Sequence, residues 1–353
     1  MVLVWNWYLE FGGCLRFRAW SLGFIGVYRR SSAVPCLLVW CAALACGAVS
    51  AADWQPTKPL EIVVGTPPGG PLDETARLIG TLLEKRNAAL PVTVQNKPGG
   101  GHAIAMAYLN QRPGDGHIIS MVLANLITNR IIGSNPVTYT DVTPLALLTS
   151  EYVGVSVRAD SPIKDGKDLI ARMRADPEAL SFAITSRASG NHIAAGVALK
   201  AGGVDLKRVK FVSFKGSAET TVAVLGGHVD VLMATPGSAW RHVQGGKLRM
   251  LAISSPRRLK GDAAGVPTWR ELGLDAVSSN WRGVVGPKGL SPAQIAYWDA
   301  TFSALVKTPE WLQTLQKNQW EHEYLGSAST FKFMQEENKQ LEALLTELGD
   351  AKK

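Results

Sequence analysis

The feature that most constrains this chain is an alternation of short β-branched runs with amphipathic stretches. Leu60-Glu61-Ile62-Val63-Val64 is followed by apolar residues at helical spacing over 72–86, then by Val92-Thr93-Val94. Further runs stand at 117–122, 153–157, 180–184, 209–212 and 229–233, each followed by turn residues or another helical pattern. This is a βα pattern, and it predicts an α/β fold with mostly parallel sheets. No self-similar period recurs, which argues against solenoids and propellers.

Toward the end the spacing becomes helical, predicting helices over 292–307, 308–317 and 327–348, the last capped by Ser327-Ala328-Ser329-Thr330. Two extended segments, 145–157 and 248–254, have the character of crossings between domains. If both cross, residues 151–252 form a domain inserted into a first one made of 53–150 plus 253–353, and the crossings form a hinge. About 300 residues suffice for two domains with cores of their own.

The N-terminus reads as an export signal over residues 1–52. Arg29 and Arg30 precede an apolar run at 34–46, and the small residues Gly47-Ala48-Val49-Ser50-Ala51-Ala52 follow. A membrane anchor needs about 20 apolar residues, and Pro35 with the Ala/Gly/Ser-rich end argues against one. Cleavage is expected after Ala51 or Ala52, giving a periplasmic protein. The thirty residues before Ser31, with Trp5, Trp7 and Trp20, do not resemble a signal n-region, so the true start is expected downstream, near Val27. Cys14, Cys36, Cys41 and Cys46 all precede the cleavage site, so a cleaved chain has neither disulfides nor thiol chemistry. A lipoprotein retaining Cys46 is the alternative, on a poor version of the usual lipobox.

Charge narrows the partners. The chain has 37 basic and 29 acidic residues, a net +8; without the leader's four arginines and Glu10 this falls to +5. The excess is spread out and forms no basic run of the kind that marks a nucleic-acid partner. Six histidines, His102, His117, His192, His228, His242 and His322, show no pair at metal-ligand spacing. Neither a metal nor a cofactor is expected.

The strongest local signal is Val63-Val64-Gly65-Thr66-Pro67-Pro68-Gly69-Gly70-Pro71-Leu72-Asp73, a Pro/Gly turn between a strand and a helix. Such turns lie at carboxyl ends of strands, where exposed N–H groups and a helix N-terminus favour anions. No Gly-Lys-Ser/Thr follows, so it is not a nucleotide P-loop. Asp73 is a ligand contact or simply a first-turn residue that steadies the helix. Three more turns of this type occur: Asn96-Lys97-Pro98-Gly99-Gly100-Gly101-His102, Thr185-Ser186-Arg187-Ala188-Ser189-Gly190-Asn191-His192 and Phe214-Lys215-Gly216-Ser217. Their distribution over two domains predicts one shared cleft.

The motifs at 56–73, 96–104, 114–117, 186–196, 214–230, 254–274 and 281–292, in this order, resemble the Bug (TctC-like) family of extracytoplasmic receptors of tripartite tricarboxylate transporters. The resemblance covers nearly the whole chain after the leader. It implies a two-domain periplasmic-binding-protein (type II) fold with a hinge and an interdomain cleft. The function implied is capture of a small organic acid by domain closure and delivery to the transporter's membrane components, without catalysis. Carried over position by position, the resemblance implies ligand contacts at Pro67, Pro68, Gly69, Gly70 and Asp73 in the first domain. In the second it implies Ser186, Ser189, Gly190 and His192, with Lys215 and Gly216 at a Tyr-Lys-Gly motif whose tyrosine is Phe214 here. Asn125 and Thr235, at strand ends that should face the cleft, are added.

Several positions depart from the family pattern. Gly65-Thr66 stands where Pro-Phe or Pro-Tyr is usual, exchanging an aromatic wall for a hydroxyl; His102-Ala103, Glu219 and His117 also differ. Ligand identity therefore does not transfer. Two other functions are compatible with the residues: sensing through a membrane sensor kinase, and a periplasmic serine hydrolase using Ser189 and His192. The second lacks a Gly-x-Ser-x-Gly elbow and an acid placed to orient the histidine. Trp240 and Trp281 read as core aromatics. A monomer is expected.

Overall fold

The computed structural model describes residues 54–352. The expected leader, the four cysteines and the expected cleavage site lie outside the described residues. The first elements are β1 (Leu60–Val64), α1 (Pro71–Arg86), β2 (Val92–Asn96), α2 (Ala103–Asn110), β3 (Ile118–Val122), α3 (Asn125–Ile131) and β4 (Val142–Tyr152). Next come β5 (Gly154–Arg158), α4 (Gly166–Ala175), β6 (Ser181–Ile184), α5 (Gly190–Ala201), β7 (Lys210–Ser213), α6 (Ser217–Leu225), β8 (Val231–Ala234), α7 (Pro236–Gln244) and β9 (Leu248–Ile253). The chain ends with β10 (Ser279–Pro287), α8 (Pro292–Leu305), α9 (Pro309–Asn318), β11 (Glu321–Gly326) and α10 (Ser327–Glu347).

Two sheets form two lobes. The first has strand order β11-β4-β10-β3-β1-β2 and the second β7-β6-β8-β5-β9. Each is parallel over only part of its width: β1 pairs in parallel with β2 and β3, and β6 with β7 and β8. The remaining pairings are antiparallel, so the expectation of mostly parallel sheets is corrected. The cause is the crossing itself. β4 leaves the first lobe and β10 re-enters it side by side, so they must run in opposite directions, as must β5 and β9 in the second lobe.

The crossings meet at Ser254, which is 1% exposed. Val153 N–H donates to Ser254 Oγ at 3.0 Å, Ser254 N–H to Val153 O at 3.0 Å, and Ser278 N–H to Ser254 O at 3.0 Å. Ser254 Oγ donates in turn to Ser278 O at 2.6 Å. Three strands are thus stitched together where they pass between lobes. Near the boundary expected at 252/253, Ile253 pairs in parallel with Thr268, and Ile253, Leu259, Ala263 and Val266 share one apolar cluster with Tyr152. Leu259, Ala263 and Val266 thus pack on Ile253 at the end of β9 and on Tyr152 at the end of β4, beside the crossing.

Helix starts follow local chemistry. Proline occupies the first turn of α1, α7, α8 and α9, where its fixed φ suits a helix and no N–H is lost. Ser291 and Gln294 form a capping box at α8. The expected serine cap of α10 is not made. Ser327 Oγ donates to Pro144 O, and Ser327 N–H donates to Asp299 Oδ1 of α8 at 2.7 Å, so a carboxylate from another helix meets the positive end of α10.

Candidate functional site

In both lobes the parallel strands end at the same edge, and the helices begin there. Helices α1, α2 and α3 follow β1, β2 and β3; α5, α6 and α7 follow β6, β7 and β8. Five of these helix N-termini, those of α1, α3, α5, α6 and α7, each with N–H groups that lack intrahelical acceptors, border the space between lobes, and the turn before α2 reaches it through Gly101. That space is a cavity of about 920 Å³. Of the residues expected from sequence, Gly69, Gly70, Asn125, Ser186, Ser189, Gly190 and Thr235 line it. Pro67, Pro68, Asp73, His192, Lys215 and Gly216 do not.

Asp73 lies behind the first turn, 2% exposed. Its carboxylate accepts from Gly69 N–H at 2.9 Å, from Arg77 Nε at 2.9 Å and from Asn96 Nδ2 at 2.9 Å. Asn96 Nδ2 also donates to Thr66 O at 3.0 Å. Burial alone would raise the Asp73 carboxyl, but Arg77, the Gly69 amide and Asn96 together hold it below its ordinary value. Asp73 is thus a brace, and the expected ligand contact is corrected: its oxygens are committed to the loop. Because Gly69 N–H is also committed, and Pro67, Pro68 and Pro71 have none, the donors left at this turn are Gly70, Leu72 and Asp73 N–H. Pro67 and Pro68 stay exposed outside the cavity and shape the turn by their fixed φ.

Two departures noted in the sequence are one structural event. A Cβ on Gly65 would lie 2.5 Å from Cγ of His102, so the His102 ring occupies the room that a larger residue at 65 would take. His102 is 7% exposed and sits at φ 79°, an unfavourable conformation for a residue with a side chain. Burial lowers its pKa to about 4, so the ring is neutral at pH 7.

The second-lobe turn is also internally braced. Ala188 has φ 58°, and its N–H donates to His192 Nδ1 at 3.0 Å. His192 is 0% exposed, and burial followed by the Arg187 charge lowers its pKa to about 4. The ring holds Ala188 through Nδ1, its Nε2 is buried without a protein partner, and it does not reach the cavity, which corrects its placement among ligand contacts. Ser189 Oγ donates to Ser186 O at 2.7 Å and accepts the His192 N–H as the cap of α5. No hydrogen bond joins the Ser189 hydroxyl to the imidazole, so the pair has no nucleophile-base geometry. At the fourth turn, Lys215 is exposed and its N–H donates to Glu219 Oε2 at 3.1 Å; the residue bordering the cavity is Ser217. Asn191 Nδ2 donates to Met233 O at 2.6 Å, tying α5 to the end of β8.

The structure adds cavity residues that the sequence reading missed: Asn280 and Arg282 on β10, Glu151 on β4, Trp320, Arg187 and Arg241. Arg282 is 2% exposed, pairs with Glu151 Oε2 at 2.9 Å and lies 4.1 Å over the Trp320 ring. Trp281 is fully buried against Phe333, as expected of a core aromatic, whereas Trp240 borders the cavity. The signal for Asn280 and Arg282 was present: with Trp281 inward, period-two alternation turns 280 and 282 to the opposite face. Asn280 Oδ1 would lie 3.0 Å from a Cβ on Gly190, so the glycine admits this contact between lobes. Arg187 Nη1 bonds Asp350 Oδ1 at 2.9 Å, and the tail beyond it is held by Lys352 N–H donating to Ile131 O at 2.9 Å.

Among the described residues no helix is long and apolar enough to cross a membrane. The model of the family described as tripartite tricarboxylate transporter family receptor, TctC, matches residues 76–350. A protein encoded in the gbd 5' region of Cupriavidus necator is 30% identical over 305 residues, 85% of this chain and 90% of that one. A TctC solute-binding protein from Polaromonas, solved without ligand, superposes with a TM-score of 0.73 at 25% identity, covering 84% of this chain and 100% of the other. R. palustris Rpa4515, solved with adipate, shares the fold, with a TM-score of 0.70 at 24% identity over 85% of this chain and 99% of that one. The family is one of solute-binding receptors rather than of enzymes. With a two-lobed α/β fold, an anion-favouring cleft and a family match over most of its length, this chain belongs to the TctC family of tripartite tricarboxylate transporter receptors.

Proposed function

We propose that this protein is a periplasmic receptor that captures a small carboxylate between its lobes and presents the closed form to the membrane components of a tripartite tricarboxylate transporter. The observation that carries this reading is the convergence of helix N-termini from both lobes on one cavity, whose walls carry Arg187, Arg241 and Arg282 beside Glu74, Glu151 and Asp262, with Arg282 and Arg187 paired to Glu151 and Asp350. The free N–H groups and dipoles of those helix starts stabilise a carboxylate. Gly70 and Leu72 N–H would hold the carboxylate from the first lobe, and Gly190 and Asn191 N–H with Ser186 from the second. Contacts from both sides favour closure, because a ligand shifts an equilibrium only by its differential affinity for the two states. The Ser254 junction is where the lobes would turn. The adipate held by the R. palustris relative agrees with a carboxylate ligand. The chain is expected to act as an exported monomer.

A thermal-shift screen of mono-, di- and tricarboxylates tests this. A true ligand at 100 times its Kd adds about 2.7 kcal/mol of apparent stability and is recovered unchanged. Mass spectrometry of small molecules released on denaturing the purified protein gives a second readout. Stabilisation by no carboxylate, or conversion of the one that binds, would refute the reading.

A further inference from the structure

The first-lobe wall of the cavity holds three buried polar atoms with no protein partner: Thr66 Oγ1, Asn125 Oδ1 and Thr128 Oγ1. They come together because β1 and β3 are adjacent parallel strands, with Val64 opposite Met121, and the loop and helix that follow them begin side by side. Asn125 and Thr128, three residues apart on α3, share one face of it. Buried polar groups are ordinarily paired, and each one left without a partner opposes folding. Thr128 is the sharpest case. It is 1% exposed, and a helical threonine commonly bonds back to the carbonyl four residues earlier, yet its hydroxyl makes no such bond.

Their chemistry defines what would complete them. Asn125 Nδ2 donates to Gly101 O at 3.0 Å, which fixes the amide and leaves Oδ1 facing elsewhere as an acceptor only. Both threonine hydroxyls can donate or accept. A hydrocarbon satisfies none of the three, and a ketone cannot donate to Asn125. An ammonium donates but can accept from neither threonine hydroxyl, and it would face Arg187, Arg241 and Arg282 as well as Glu74, Glu151 and Asp262. A hydroxyl donates and accepts without charge, and so reproduces the bonds of any water it displaces from these atoms, which a bare methylene does not.

We infer that the cleft selects hydroxylated small acids over the same acids without the hydroxyl, with Thr66, Asn125 and Thr128 as the residues that read the hydroxyl. This rests on the carboxylate-receptor reading and names the ligand class within it. A site built to bond a hydroxyl rejects the analogue lacking it, because its own polar groups are then left unpaired.

Calorimetric titration of the purified, ligand-stripped protein with matched pairs tests the inference: lactate and propionate, malate and succinate, citrate and tricarballylate. The hydroxylated member should bind at least tenfold tighter in every pair that binds. Thr128→Val, which removes an unpartnered hydroxyl at nearly constant volume, should melt no lower than the parent without ligand, and its hydroxy-acid preference should fall severalfold. Equal affinities within the pairs, or an unchanged preference in Thr128→Val, would overturn the inference and leave the carboxylate reading intact. Binding of no acid would overturn both.

Discussion

Arg282 and Glu151 lie diagonally across β10 and β4 at the floor of the cavity, and separating them should reveal how strongly this pair shapes the protein. Asn280 stands opposite Glu151 in the sheet register, so Arg282, two residues on, shares the face of Glu151. The side chains are 3% and 12% exposed and 2.9 Å apart, and the guanidinium stacks on Trp320. Removing one partner of a buried pair leaves an uncompensated charge, at a cost of about 3–5 kcal/mol. Glu151→Gln falls near the lower bound, about 3 kcal/mol, because the amide oxygen still accepts from Arg282. At about 2–3 °C per kcal/mol for a chain of this size, its melting temperature should drop by about 6–9 °C. Arg282→Met keeps an apolar stem on Trp320 and leaves Glu151 within reach of cleft water, so about 2 kcal/mol should be lost. The double variant should lose about 2 kcal/mol rather than the additive 5, since neither charge remains to be compensated. Urea denaturation of the four proteins gives the coupling energy. Single losses below about 0.5 kcal/mol, or losses that simply add, would show that the pair is solvated and exerts no hold on the cavity floor.

Two further substitutions probe the first-lobe turns. Gly65→Ala should destabilise by about 1–3 kcal/mol through overpacking against His102, and His102→Gly should restore the loss by removing the ring and relaxing a left-handed residue; failure of that rescue by thermal melting would show the two sites to be independent. Asp73→Asn should cost about 1.5–3 kcal/mol at pH 7, the worth of hydrogen bonds to a charged group, and should weaken carboxylate binding without abolishing the fold. The Asp73 carboxyl is depressed below its ordinary 3.8, so its contribution is complete above pH 5 and disappears as pH falls through the folded value; the gap between parent and variant in denaturant melts should therefore narrow only below about pH 4. A gap that is constant down to pH 2 would mean that the brace acts through shape alone.

Much of the fold was legible because it is written in local periodicity. The alternation that begins at β1 predicted the βα units, and the late helical spacing predicted α8, α9 and α10 to within a few residues. The antiparallel return strands were not legible, because strand direction depends on where a neighbour comes from. The Ser254 junction joins residues 101 apart, Val153 and Ser254, and no local pattern marks such a meeting. The packing of Leu259, Ala263 and Val266 on Ile253 was hidden for the same reason: an irregular stretch takes its neighbours from the tertiary fold.

The site divided along a similar line. Glycine-rich turns after β1, β2, β6 and β7 announced themselves, since only turns with free N–H groups and permissive backbone suit the start of a helix at a ligand edge. Whether a polar residue in such a turn faces the ligand or the turn was undecided by sequence. Asp73 and His192 are polar, well placed and turned inward, one holding Gly69 N–H and the other Ala188 N–H. Arg282 was hidden within a strand whose neighbour Trp281 drew the eye to the core.

The sequence by itself determined the elements, their order and the chemistry of the turns, because propensity, periodicity and capping act over a few residues. Tertiary structure alone decided which edges face each other, which side chains brace and which face the cleft. It also decided that Gly65 and His102 are a single adjustment. These are consequences of packing between residues distant in the chain, where a side chain's role is set by the neighbour it meets.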